Sequence, residues 1–151
     1  MARNVWREIG ARPAEAFLIV AEIGPDFGGG AREDDPFDTA RLRFAANLMV
    51  RTCTHSNLRG DFAVQPLREP QALVIHCAVT DAADFAQLRE VVGATEIEAG
   101  PWRGRCDVLL DEARHERLLA IAGPPDSRGA GRRARVARER ESEDPRHWGR
   151  I

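Results

Sequence analysis

Lysine and tyrosine are both missing from this chain of 151 residues. All 22 basic residues are arginine, which indicates a GC-rich codon bias before it indicates a function. The two absences exclude a mechanism in which lysine forms a Schiff base and one in which tyrosine is the acid.

Cysteine is scarce and widely spaced. The chain has Cys53, Cys77 and Cys106, and it has no CxxC pair. An odd number of widely spaced cysteines predicts neither a disulfide framework nor a zinc knuckle. We therefore expect no metal site, no cofactor and a reducing compartment.

Long apolar runs are absent too. No segment approaches the roughly 18 apolar residues that a membrane span needs, and the first residues lack the apolar stretch of a secretory signal. The chain is nevertheless 43% hydrophobic, enough for the core of one domain. We expect no membrane association and a cytoplasmic location of the bacterial type.

Charge is divided unevenly along the chain. Residues 1–126 hold 14 Arg against 20 Asp and Glu, whereas residues 127–151 hold 8 Arg against 4 acids. The junction at residues 123–131 is rich in Pro, Gly and Ser, which is typical of a linker. The pattern predicts one acidic domain over 1–126 and a basic tail over 127–151.

Two helices are predicted within the domain. The first begins near Asp35, which can act as the N-cap before Pro36 at the first helical position. The second follows a cap at Asp81 or Asp84 and ends at Gly93. The first helix has a wide apolar stripe at helical spacing, made of Phe37, Ala40, Leu42, Phe44, Ala45, Leu48 and Met49.

Extended segments surround these helices. Residues 14–24 are flanked on both sides by residues typical of helix ends, but their bulky Phe-Leu-Ile-Val core favours a strand. Residues 61–81 form two extended runs with a turn at 67–71, and Pro66 restricts the first run to a sheet edge or a bulge. Residues 105–113 are a further candidate strand.

The order strand, helix, strand, strand, helix, strand is typical of a ferredoxin-like α+β fold. This split βαβ arrangement has two layers, with an antiparallel sheet and both helices on one face. The alternative is a three-layer α/β fold with a βαβα C-terminal half, in which residues 113–123 form a last helix. We prefer the first because the turn between the middle runs is too short for a parallel crossover.

His76 and Cys77 are adjacent in an apolar strand, so their side chains point to opposite faces. They therefore cannot share a metal ion or form a Cys/His couple. One face carries Leu73, Ile75, Cys77 and Val79, and the other carries Ala72, Val74, His76 and Ala78. We expect no helix over the latter, and an open apolar face is usually covered by a partner or ligand. Val74, His76 and Ala78 are thus the predicted interface.

His76 is also the candidate for catalysis, as a proton shuttle or ligand anchor in a pocket on that face. Little accompanies it in sequence, so an interface or core histidine is the preferred interpretation. Cys53 and His55, at the end of the first helix, are interpreted as a gap-filling thiol and a histidine favoured by the helix dipole.

The Gly-rich stretch at residues 23–36 leads into a helix, as phosphate-binding loops do. It lacks the Lys-Ser or Lys-Thr ending, and Glu33, Asp34 and Asp35 would repel an anion. We interpret it as a mobile connection. The remaining carboxylates are interpreted as a solvated face; they include Asp107, Asp111, Glu112 and Glu116.

The tail combines clustered arginines with a late tryptophan, which favours a docking arm. The residues concerned are Arg132, Arg133, Arg135, Arg138 and Trp148. A nucleic-acid arm is the competing interpretation. Glutamates between the arginines and the acidic domain argue against it, and a flexible or marginally helical tail fits better.

These patterns predict a non-catalytic association protein, either a homodimer or a small subunit of a larger protein complex. It would use the open sheet face and the basic tail. The alternatives are a small cofactor-independent enzyme with His76 over a pocket, and a nucleic-acid binder that uses its tail.

Overall fold

The computed structural model describes residues 5–122, which form a mixed α+β structure. Four helices are described: α1 Val5–Gly10, α2 Thr39–His55, α3 Ala82–Val92 and α4 Glu112–Ala122. Five strands are described: β1 Phe17–Ile23, β2 Phe62–Glu69, β3 Ala72–Val79, β4 Thr95–Ile97 and β5 Gly104–Leu110. Short 3-10 turns occur at Pro13–Glu15 and Phe27–Gly29.

The strands form one open sheet in the order β2-β3-β1-β5-β4. Strand β3 is antiparallel to both β1 and β2, but β5 is parallel to β1. The sheet is therefore mixed, not antiparallel as predicted, and the ferredoxin-like topology is not confirmed. The cause is β4, which pairs antiparallel with β5 and so returns the chain parallel to β1.

The three longer predicted strand regions are confirmed, including the ambiguous segment that becomes β1. The turn between β2 and β3 is confined to Pro70–Gln71, which is shorter than predicted. Strand β2 lies at a sheet edge, as the proline in its interior requires. Strand β4 was not predicted because all three residues are exposed and give no alternation.

Helix α2 begins at Thr39, later than predicted. Asp38 is its N-cap, and the carboxylate of Asp35 accepts hydrogen bonds from the backbone N–H groups of Ala40 and Arg41, both at 3.2 Å. Desolvation acts to raise the pKa of Asp35, but these hydrogen bonds hold it below its ordinary value. Because residues 36–38 turn before the helix, Phe37 is 75% exposed and does not join the core.

The boundaries predicted for the second helix are confirmed by α3. Asp81 is the cap and accepts from the backbone N–H groups of Ala83 and Asp84, and Gly93 ends the helix in the left-handed conformation. The buried carboxylate of Asp84 instead accepts from the backbone N–H groups of Arg59 and Gly60, each at 2.8 Å. Asp84 therefore fixes the loop before β2.

The main core lies between one face of the sheet and a layer formed by α2, α3 and α4. Helix α4 corresponds to the last helix of the three-layer alternative, but it packs in the same layer as α2 and α3. The largest fully buried side chains are Phe27, Phe62, Ile19, Leu42, Leu48, Met49, Ile75, Leu88, Leu110, Leu118 and Val79.

We call the opposite side of the sheet the second face. It was expected to have no helix over it, and this expectation is wrong because α1 covers part of it. Ile9 of α1 packs with Ala16, Ala63 and Ala78 in a separate small cluster, against which Trp6 and Trp102 also pack. The alanines on β2 and β3 leave space for a helix to approach the strands closely.

Within residues 5–122, no helix combines the length and apolar character that a membrane crossing requires. The domain boundary expected at 123–131, and the tail with its arginines and Trp148, lie outside the described residues.

Candidate functional site

Around His76, the second face combines aromatic and polar side chains. Strand register places Gln65, His76, Val20 and Asp107 in one row across four strands. The Trp6 ring lies over this row, with its centroid 5.9 Å from that of His76. Trp102 lies beyond Trp6, with their ring centroids 6.5 Å apart. His76 and Cys77 lie on opposite faces, as predicted from strand alternation.

The electrostatics of this row favour a neutral imidazole. Desolvation is the main reason that the pKa of His76 is lowered to about 4. The positive charge of Arg105 lowers this pKa further, and the negative charge of Asp107 partly opposes both effects. Asp107 is held by the Arg105 guanidinium through two contacts, of 2.9 and 3.2 Å. Since a general base works best with a pKa near the working pH, His76 is poorly suited to that role at pH 7.

The other predicted interface residues are not at the surface. Val74 is buried, and Ala78 is buried in the cluster that contains Ile9. Two exposed apolar side chains lie on the second face instead: Leu109 of β5, which is 48% exposed, and Ile97 of β4, which is 43% exposed and pairs with Arg105. Val20 of β1 is half-buried. Leu109 was not among the predicted interface residues, although the alternation of Cys106, Val108 and Leu110 into the core places it on this face.

All three cysteines are buried as free thiols. Cys53 lies in the core with its Sγ atom 3.7 Å from that of Cys77. The hydrogen bond with Cys77 and burial raise the pKa of Cys53, and burial raises the pKa of Cys106 to about 12. Such thiols are poor nucleophiles. Residues 5–122 contain no group of three His, Cys, Asp or Glu side chains that could hold a metal ion.

A second candidate site lies where the parallel strands β1 and β5 end. The Gly24 N–H donates to the Leu110 carbonyl at 2.8 Å, and a Cβ on Gly24 would lie only 2.7 Å from that oxygen. Glycine is therefore required for the two strand ends to meet. The chain then folds back so that the Phe27 ring is fully buried.

Arg41 of α2 fixes this Gly-rich loop. Its guanidinium donates to the Phe27 carbonyl at 3.1 Å and to the Gly24 carbonyl. The Asp26 carboxylate also accepts from the Glu112 N–H at the start of α4. The loop was interpreted as a mobile connection, but its hydrogen bonds tie it to two helices.

His115 packs on this loop. Its imidazole lies against Phe27, at 4.7 Å between centroids, and against the edge of Phe44 at 5.4 Å. The Nδ1 atom is 3.2 Å from Oε1 of Glu112. This pair was not predicted, because Glu112 was interpreted as part of a solvated face. The Glu-x-x-His spacing, which places both side chains on one side of a helix, was the available signal.

A cavity of about 340 Å³ opens near the other end of the sheet. Its lining is Glu8, Ile9, Arg12, Glu15, Ala16, Asp61 and Thr80. Three carboxylates and one guanidinium make this lining acidic, but it contains no histidine or cysteine. It therefore offers neither an imidazole nor a thiol for acid–base or nucleophilic chemistry.

Comparison of this chain with protein-family models, with curated proteins and with solved structures gives no match. A function for this chain therefore has to be inferred from the arrangement of its own residues.

Proposed function

We propose that this chain is a non-catalytic association protein, a homodimer or a small subunit of a larger protein complex. The contact surface is the exposed part of the second face around Leu109, with the Arg-rich tail as an additional docking arm for an acidic surface. The proposal keeps a ferredoxin-like arrangement for one half of the domain only. That half consists of β1, α2, β2 and β3, and β3 lies between β1 and β2 in the sheet.

The observation that carries the proposal is the exposure of Leu109 near the C-terminal end of β5, where this strand pairs with β1. Register places Leu109 opposite Glu22 of β1, next to the row that contains Val20 and His76. Helix α1 packs on Ala63 and Ala78 and does not remove Leu109 from solvent. An exposed leucine bordered by charged groups such as Glu22 and the Arg105–Asp107 pair resembles the apolar centre and polar rim of a protein interface.

The neutral state of His76 supports the same proposal. Its lowered pKa means that this part of the surface gains no positive charge at neutral pH. A partner can then cover the ring without desolvating an imidazolium, which would be costly. An enzyme with His76 as the base is less well supported because the Asp107 carboxylate in its row is engaged by Arg105. The nucleic-acid alternative concerns the tail, which lies outside the described residues.

The test is the substitution Leu109→Glu, with Leu119→Glu as the matched control. Leu119 is an exposed leucine of α4, at 36%, and lies in the helical layer instead of the second face. We expect Leu109→Glu to weaken association at least tenfold, because a carboxylate desolvated at an interface is strongly unfavourable. Leu119→Glu should leave association unchanged. Size-exclusion chromatography with light scattering measures the mass of each variant.

Circular dichroism of both variants is the control for correct folding. If Leu109→Glu keeps the wild-type mass, or if the wild-type protein is a monomer that captures no partner through this surface, the proposal fails. Equal weakening by both variants would place the contact elsewhere.

A further inference from the structure

The Nε2 atom of His115 is the one buried side-chain nitrogen or oxygen within residues 5–122 that has no hydrogen-bond partner. Such groups are rare in folded proteins, because a buried polar atom without a partner loses its hydrogen bonds to water and gains none in return. Such an atom marks strain, a role in chemistry, or a position where a bound water, ion or ligand completes its hydrogen bonding. The hydrogen bond to Glu112 and the contacts with two phenylalanine rings do not use this nitrogen, so it is free for such a role.

The contact with Glu112 decides what Nε2 can bind. A carboxylate oxygen accepts hydrogen bonds, and in a neutral imidazole one nitrogen donates while the other accepts, so the tautomer that pairs with Glu112 has its proton on Nδ1. Nε2 is then an acceptor with a free lone pair. The carboxylate also fixes the orientation of the imidazole, as it does in histidines that bind metals or substrates.

The imidazole of His115 lies between two aromatic rings. Phe27 is fully buried on one side, whereas Phe44 is 38% exposed and meets the imidazole edge-on. Gly28, which has a positive φ of 64°, lies against the Phe44 ring, and its missing side chain leaves space there. Phe44 is therefore the member of this aromatic group whose rotation would open the enclosure to solvent.

We infer that His115 is the hydrogen-bond acceptor of a small-molecule site enclosed by Phe27, Phe44 and the Gly-rich loop. The ligand class is a small molecule with an apolar ring and a single hydrogen-bond donor, which the Nε2 lone pair accepts. The ring takes the space that Phe44 vacates and stacks on Phe27. The site lies outside the carboxyl ends of the parallel pair β1 and β5, the position at which open sheets of this kind commonly bind ligands.

The test compares phenol, which has one O–H donor, with toluene, which has the same apolar ring and none. Nitrogen-15 NMR of the wild-type protein follows His115 Nε2 during titration with each. We expect phenol to bind at least tenfold more tightly than toluene, and only phenol to shift the Nε2 resonance. The difference reflects one hydrogen bond to a buried acceptor.

Three variants sharpen the test. His115→Phe should remove the preference for phenol and leave toluene binding in place. Phe44→Ala should strengthen the binding of both compounds at least threefold, because the enclosure is already open. Leu119→Ala, one turn along α4 from His115, is the matched control and should change neither affinity.

Equal affinities for phenol and toluene, or an Nε2 resonance that does not respond to phenol, would overturn the inference. Absence of binding to both the wild-type protein and Phe44→Ala would do so as well. The wild-type titration needs no substitution, so the result stands even if His115→Phe fails to fold. The measurement reports on α4 and is independent of association through Leu109.

Discussion

The two faces of the sheet differ in what covers them and in what they can do. On the helix-covered face, the row formed by Cys77, Ile19 and Cys106 is fully buried and uncharged. The parallel row on the second face holds His76, Val20 and Asp107, which are all half-buried. Three helices exclude water from the first face, so the row there holds only an apolar side chain and two thiols. The second face keeps charged and titratable groups because its cover is partial.

The small size of α1, the helix that covers part of the second face, explains why this face is less buried. Helix α1 has six residues, fewer than an isolated helix needs for stability in water. It contributes the buried side chain of Ile9 and the half-buried Trp6. The second face is thus stabilised less than the first, and it is where binding to other molecules is expected.

Neighbouring leucines on β5 test this contrast directly. Leu110 is buried in the main core, whereas Leu109 is half exposed on the second face. We expect Leu110→Ala to lower the free energy of unfolding by about 2–5 kcal/mol, through lost burial and the cavity that remains. Leu109→Ala should change it by no more than about 0.5 kcal/mol. Urea denaturation measures both, and similar values for the two variants would contradict the assignment of faces.

The substitution Ile9→Ala tests how strongly α1 is held on the second face. We expect a loss of about 1–2 kcal/mol, less than at a core position, because a short terminal helix can detach without unfolding the sheet. Trp6 fluorescence, measured with Trp102 and Trp148 replaced by Phe, should shift to longer wavelength as the indole becomes hydrated. An unchanged Trp6 spectrum would mean that α1 does not depend on Ile9.

The smallest effect is a pH dependence from His76. The pKa of His76 is about 4 when folded and about 6.5 in an unfolded chain. Between these values the unfolded state binds a proton that the folded state does not, so stability decreases as the pH falls from about 6.5 to 4. Because the ring is partly exposed, we expect a loss of about 1 kcal/mol between pH 7 and pH 5.

His76→Gln should remove this contribution, so that its stability falls less between pH 7 and pH 5 than that of the wild-type protein. Urea denaturation at the two pH values provides the comparison. Parallel pH profiles for the two proteins would show that His76 is not desolvated in the folded state.

Much of the local structure could be predicted because its causes are local. The cap at Asp81 and the glycine at position 93 define α3 within a dozen residues. Strand alternation correctly separated His76 from Cys77. The start of α2 was wrong because Asp35 caps the helix from a distance, across a turn that contains Phe37.

The candidate sites could be predicted only in part. His76 was recognised on its face, but Leu109 and His115 were not. The surroundings of His115 depend on the Gly-rich loop, which places Phe27 beneath α4 and which Arg41 of α2 fixes in position. These contacts join residues separated by 14 to 88 positions in the chain, and no local pattern records them.

The sequence by itself determined the longer strands, the helices α2 and α3 apart from the start of α2, and which side chains share a face, because alternation, helical spacing and caps operate between neighbouring residues. It did not predict α1 or β4. Only the tertiary structure decided what covers each face. The parallel direction of β5 depends on the short strand β4 at the far edge of the sheet. The cover over Ala63 and Ala78 depends on Ile9, more than 50 residues earlier. Such contacts follow from how distant segments pack together, and the free energy of that packing is not encoded in any one segment.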